Sequence, residues 1–114
     1  MKKILTFMMI FILSSCLKPD CDYWYPIRKD KECLIIVKNM PDKKNGQVFT
    51  VEGKYLTNNK DTIYETEDRW FCTLTDYISE GDTIIKHKGQ LIFNIHKKDT
   101  IYNFNWECDG KKYK

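Results

Sequence analysis

Between residues 33 and 108 apolar side chains come in short runs, and polar turns cut them at close intervals. No stretch of this region keeps a helical period over three turns, so the chain is constrained to short strands. Cys33-Leu34-Ile35-Ile36-Val37 is β-branched and compact, as expected of a buried strand. Residues 38–46 carry Pro41, Asp42, Asn45 and Gly46 and form a loop. Gln47 to Leu56 alternates loosely, with Phe49, Val51 and Tyr55 on one face. Strands are further predicted at Thr62–Thr66, Arg69–Thr73, Thr83–Lys86, Leu91–His96 and Ile101–Glu107, and Asp76–Gly81 is a helical turn or a loop. Lys97-Lys98-Asp99-Thr100 closes a hairpin. In the last strand Tyr102, Phe104, Trp106 and Cys108 share a face. The expected fold is all-β: an antiparallel meander of six or seven strands, closed as a small sandwich or barrel.

The N-terminus reads differently. Met1-Lys2-Lys3 is basic, residues 4–13 are apolar apart from Thr6, and Ser14 and Ser15 are small. Basic start, apolar centre and small residues describe a signal-peptide helix over residues 1–15. The apolar run is half the roughly twenty residues a spanning helix needs. Leu13-Ser14-Ser15-Cys16 resembles the lipobox of bacterial lipoproteins. That resemblance implies cleavage before Cys16 and attachment of acyl chains, palmitate among them, to the Cys16 thiol and amine. Two or more chains hold a protein stably on a bilayer, at roughly 0.8 kcal/mol per buried CH₂. Residues 16–22 then serve as a lipidated tether, and residues 23–114 as one β domain. Leu17 stands where enteric inner-membrane lipoproteins carry Asp, and Lys18, Asp20 and Asp22 resemble the export tags of Bacteroidota surface lipoproteins. Both point to the outer membrane and leave the leaflet open. An ordinary secretory signal followed by a chance Cys is the plainer alternative.

Four further cysteines, Cys21, Cys33, Cys72 and Cys108, suit a framework of two disulfides in an exported domain of this size. None of the spacings is C-x-x-C, so neither a redox pair nor a zinc knuckle is indicated. Free buried thiols are the other reading.

Lys60-Asp61-Thr62-Ile63-Tyr64 recurs as Lys98-Asp99-Thr100-Ile101-Tyr102, and each copy is followed by Trp-x-Cys, at Trp70 and Trp106. Asp in a turn leading into β-prone residues suffices to explain the echo. Asp82-Thr83-Ile84 adds a third Asp-Thr-Ile, and the triplet resembles the O-glycosylation sequon of exported Bacteroidota proteins, with Thr62, Thr83 and Thr100 as acceptors.

Catalytic chemistry is poorly supplied. His87 and His96 are the only histidines, there is no G-x-S-x-G, and Glu65, Glu67 and Asp68 read as a solvated charged loop. No metal site, cofactor or enzyme is expected. Without the first fifteen residues the chain holds 17 basic and 16 acidic side chains, too even for a nucleic-acid binder that relies on phosphate attraction. Basic pairs such as Lys43-Lys44 and Lys111-Lys112 suit turn and edge protection. The expectation is an envelope lipoprotein whose β domain binds an unknown protein or glycan, or is structural, without catalysis. Trp24, Trp70 and Trp106 are candidate binding residues and equally candidate core. The alternative is an inhibitor of an attacking hydrolase such as lysozyme. Membrane-bound lysozyme inhibitors are also small, disulfide-bonded β lipoproteins. Cys108-Asp109-Gly110-Lys111 is superficially similar to their Cys-rich strand but lies at the opposite end of the chain.

Overall fold

The computed structural model describes residues 20–41 and 43–113. The signal segment, Cys16 and Leu17 to Pro19 of the tether lie outside them. Helix α1 (Cys21–Asp30) comes first, then β1 (Cys33–Asn39), β2 (Phe49–Tyr55) and β3 (Asp61–Thr66). Helix α2 (Arg69–Thr73) and a 3-10 turn (Thr75–Tyr77) lead to β4 (Thr83–Lys86), β5 (Ile92–His96) and β6 (Ile101–Asn105). A hairpin of β7 (Glu107–Cys108) and β8 (Lys111–Lys112) ends the fold.

β1 to β6 form one antiparallel sheet in the order β3-β2-β1-β4-β5-β6. The sheet is open. β3 and β6 lie at opposite edges and do not pair, so the expected closure into a sandwich or barrel is not found. Two three-stranded meanders meet along β1 and β4, which places a pseudo-twofold axis between those strands. The echoed word accordingly starts each edge strand: Asp61 to Tyr64 in β3, and Ile101 and Tyr102 in β6 after the Lys97–Thr100 turn.

Alternation sends Cys33, Ile35 and Val37 of β1 and Phe49 and Val51 of β2 to one face, with Ile84, Phe93 and Ile95 of β4 and β5. That face is buried, and α2 closes it. Phe71 of α2 is fully buried, its ring 5.4 Å from that of Phe49 and 4.9 Å from that of Phe93. The opposite face, with Leu34, Ile36, Ile85 and Ile92, is half-buried to exposed. Arg69–Thr73 was expected as a strand because Trp-Phe-Cys is β-prone. It is a helix because the Asp68 side chain accepts the Phe71 N–H at 3.1 Å and caps it.

The fold starts earlier than Tyr23. Asp20 caps α1 by accepting the Tyr23 N–H at 3.2 Å, so Cys21 and Asp22 belong to the domain and not to a tether. Pro26 lies inside α1 and removes one helical hydrogen bond, a local cost that contacts outside the helix offset. One is a disulfide from Cys21 to Cys108 of β7, with Cα atoms 5.8 Å apart. The turn that aligns Cys108 is Asp109-Gly110, both at positive φ, as a tight hairpin turn requires. Cys33 and Cys72 are free and buried, so the described fold has one bridge where two were expected. Cys33 points into the sheet core from β1, and Cys72 is buried on α2.

The other end of α1 is held by Lys86. Its side chain is fully buried, and Nζ donates to the Lys29 and His87 carbonyls at 3.1 Å and to that of Lys31. These acceptors include carbonyls that the helix end leaves unpaired. Burial lowers the ammonium pKa to about 8, while Asp68, Asp30 and Glu32 raise it in partial opposition. Burial raises the pKa of the Cys33 and Cys72 thiols and the Tyr64 phenol above their ordinary values. The signs oppose. Between pH 8 and about 10.4 the unfolded chain holds the Lys86 proton more tightly, which raises stability with pH. Above about pH 8.5 the folded chain keeps thiol protons, and above about pH 10 a phenol proton, that the unfolded chain loses, which lowers it. The two thiols, joined near pH 10 by the phenol, outweigh the one ammonium, so urea midpoints should fall from about pH 8.5 to 10.5. Lys86→Met should steepen that fall, and Cys33→Ala should flatten it. Parallel curves for all three proteins would contradict this assignment.

Gly53 of β2 is fixed by a close approach. A Cβ there would lie 2.0 Å from the Ile36 carbonyl oxygen of β1, and a backbone atom inside a ladder cannot yield. Gly53→Ala should cost about 3 kcal/mol, read by urea unfolding. A cost below about 1 kcal/mol would show that β1 and β2 separate more easily than their register implies.

Candidate functional site

The sequence places its three tryptophans far apart, at 24, 70 and 106. The fold gathers them around two arginines. A hollow of about 530 Å³ opens between α2 and β6, with Trp70, Phe104 and Trp106 in its wall and Lys112 of β8 at its rim. A second hollow, of about 550 Å³, is lined by Trp24, Gln47, Val48 and Glu67. Arg28 and Arg69 line both. Trp70 and Trp106 are 9% and 5% exposed, so they are chiefly core and show little more than an edge. Trp24 is 39% exposed.

Arg28 is the buried post between the hollows. It projects from α1, and its Nη1 lies 3.1 Å from Asp68 Oδ1. Its guanidinium carbon stands 4.7 Å from the centre of the Trp24 ring, within cation–π range. Asp68 is fully buried, not a member of a solvated loop. Its Oδ1 serves both Arg28 and the α2 cap, while Oδ2 and Arg28 Nε are buried without a hydrogen-bond partner among the described residues. Arg28 and Asp68 thus cancel in charge. At the rim Lys112 and Glu107 approach to 3.9 Å, a weak exposed pair. The exposed Arg69 side chain has no ion pair or side-chain hydrogen bond among the described residues. It is the uncompensated cation of the hollow between α2 and β6.

A planar guanidinium can take a carboxylate or phosphate in a two-pronged hydrogen bond, and the aromatic walls can accept apolar groups. Neither histidine lines a hollow. His87 is exposed in the turn after β4, and His96 is half-buried on the open face of the sheet, paired with Thr83 and Ile101. Among the described residues no three His, Cys, Asp or Glu side chains gather as metal ligands. No described helix is long and apolar enough to cross a membrane.

The three Asp-Thr-Ile threonines scatter. Thr100 is exposed in the β5–β6 turn, Thr62 is half-buried opposite Gly53, and Thr83 is half-buried beside Ile36 and His96. Asp82, next to Thr83, is buried and bonded to Lys97 and the Ser79 N–H. Sequence reasoning named the tryptophans but missed Arg28, Asp68 and Arg69. A signal for Asp68 was present: an acid three residues before Phe71, at the start of an apolar run, is an N-cap pattern. Nothing local in the sequence marks Arg28 as its partner, 40 residues earlier.

Comparison of the chain with protein-family models, with curated proteins and with solved structures returns no match.

Proposed function

We propose that this chain is a lipid-anchored envelope protein whose β domain binds a partner without catalysis, at the arginine-centred double hollow. The observation that carries the reading is the Cys21–Cys108 disulfide. Disulfides persist in exported proteins and are rare where thiols are kept reduced. This one joins the first residue of α1 to the last hairpin, and α1 begins five residues after Cys16. With Cys16 acylated, the domain stands almost on the bilayer, most consistently that of the outer membrane. The bridge supports export, and the lipobox resemblance supplies the anchor.

The test is metabolic labelling of cells making the full-length protein with an alkyne analogue of palmitate. The wild-type protein should take the label and partition into detergent. Cys16→Ala should take none and lose its membrane fraction. Equal labelling of both, or of neither, would overturn the anchor.

A further inference from the structure

We infer that the hollow between α2 and β6 is the seat of an extended acidic peptide, which adds as a strand to the free edge of β6. The inference rests on reading the domain as a binding module and supplies the class of partner.

Three consecutive residues of β6, Asn103 to Asn105, line the hollow, followed by Trp106 and Glu107. Side chains of a strand alternate between faces, so three in a row place the hollow along the strand's edge. The register says what that edge offers. The Lys97 N–H donates to the Thr100 carbonyl and the Trp106 N–H to the Leu91 carbonyl, which fixes the alternation of the β5–β6 ladder between them. Tyr102 and Phe104 therefore direct their N–H and C=O groups to β5. Ile101, Asn103 and Asn105 direct theirs away from the sheet. No strand among the described residues pairs with β6 on that side.

An exposed ladder edge is a template for an incoming strand. Many edges are blunted by charge. Here Lys98 stands at one end of β6 and Arg69 over the other, while Lys97 is paired with Asp82 and Lys112 with Glu107. The edge thus repels basic segments and attracts acidic ones, with Arg69 free to take a carboxylate. Phe104, Trp70 and Trp106 offer an apolar wall to every second side chain of the guest. The other edge, β3, carries Asp61 and Glu65, and the lysine beside it, Lys31, already donates to Thr66. The hollow is recessed between α2 and β8, which admits a lone strand more readily than the edge of a second sheet.

The probe is a capped heptapeptide, acetyl-Thr-Val-Glu-Val-Glu-Val-Thr-amide, titrated into the full-length protein in detergent. Three variants accompany it: Gln for both Glu, N-methyl groups on alternate residues, and the chain's own residues 60–67. The acidic probe should bind at least about tenfold more tightly than its Gln form, which corresponds to about 1.4 kcal/mol. Arg69→Glu should abolish that preference. Amide exchange should slow at Ile101, Asn103 and Asn105. N-methylation in one of its two alternating frames should abolish binding, and in the other leave it intact.

Binding that depends on Arg69 but ignores both N-methyl frames would overturn strand addition and leave a simple anion site. Tighter binding of the residue 60–67 peptide, with concentration-dependent self-association, would replace the foreign peptide by a second copy. No binding of any peptide, with an acidic oligosaccharide such as oligogalacturonate bound in an Arg69-dependent way, would overturn the peptide class and keep the binding-module reading. No Arg69-dependent binding of either would overturn both. The palmitate result stands apart from all four outcomes.

Discussion

Asp68→Ala should destabilise the domain by about 4 kcal/mol, the order expected when one partner of a buried ion pair is removed. Asp68 is fully buried and does two things through one oxygen: it faces Arg28 Nη1 at 3.1 Å and accepts the Phe71 N–H at 3.1 Å. Alanine leaves a guanidinium in a site that is 8% exposed, and it uncaps α2, the helix that carries Phe71 into the core. Asp68→Asn separates the two effects. It keeps an oxygen for the cap and loses the charge, so it should recover about 1 kcal/mol, the usual worth of a cap. The double variant Arg28→Met with Asp68→Leu should be far more stable than Asp68→Ala, because it leaves no charge buried alone. Urea unfolding of the four proteins reads the comparison. A loss below about 1 kcal/mol for Asp68→Ala would mean that Arg28 swings out to solvent, and the hollows would then lack their central post.

The second large effect is on the bridge. Cys21 and Cys108 are 87 residues apart, so the link closes nearly the whole described fold in the unfolded chain. Chain-entropy arithmetic gives about 4.6 kcal/mol for a loop of that length, and strain or residual structure commonly lowers the realised value. Cys21→Ser with Cys108→Ser should therefore lose roughly 3 to 4 kcal/mol. As an effect on the unfolded chain, that loss falls on every amide that exchanges by global unfolding, those of the six-stranded sheet included, and local opening adds to it near the bridge. The first residue of α1 and the β7–β8 hairpin meet through the bridge, whereas the sheet core is built from Ile35, Val51, Phe71 and Phe93. Hydrogen exchange should thus rise most in α1 and the terminal hairpin. A uniform rise would show that the bridge stabilises the domain only as a whole.

Strands were legible in the sequence wherever alternation and turn residues agreed. Thr83–Lys86 is β4 without adjustment, and the Lys97–Thr100 hairpin falls where its residues put it. The misreadings have particular causes. Arg69–Thr73 is rich in β-prone residues, and a single buried cap at Asp68 turns it into a helix. Residues 21–30 contain Pro26 and fewer than three turns, so no helical period could emerge; a cap at Asp20, a disulfide and the buried Lys86 hold that helix. Closure was inferred from strand count, yet count does not decide whether edges meet. The two meanders join back to back along β1 and β4, and this leaves β3 and β6 outermost.

The candidate site was half legible. The tryptophans could be nominated from their type, since large aromatics are either core or contact. That they converge depends on β6 running past α2, a relation no local pattern encodes. Arg28 and Asp68 looked like ordinary surface charge because their burial is a joint property of two segments.

The central claim, an anchored and disulfide-closed exported domain, is tested most directly by intact mass spectrometry of the protein taken from its own membranes, before and after reduction. The account predicts a chain beginning at Cys16, carrying acyl chains, and gaining two hydrogens on reduction. Before reduction, Cys33 and Cys72 should alkylate only once the protein is unfolded. A chain that retains residues 1–15, or one with four free thiols, would contradict it.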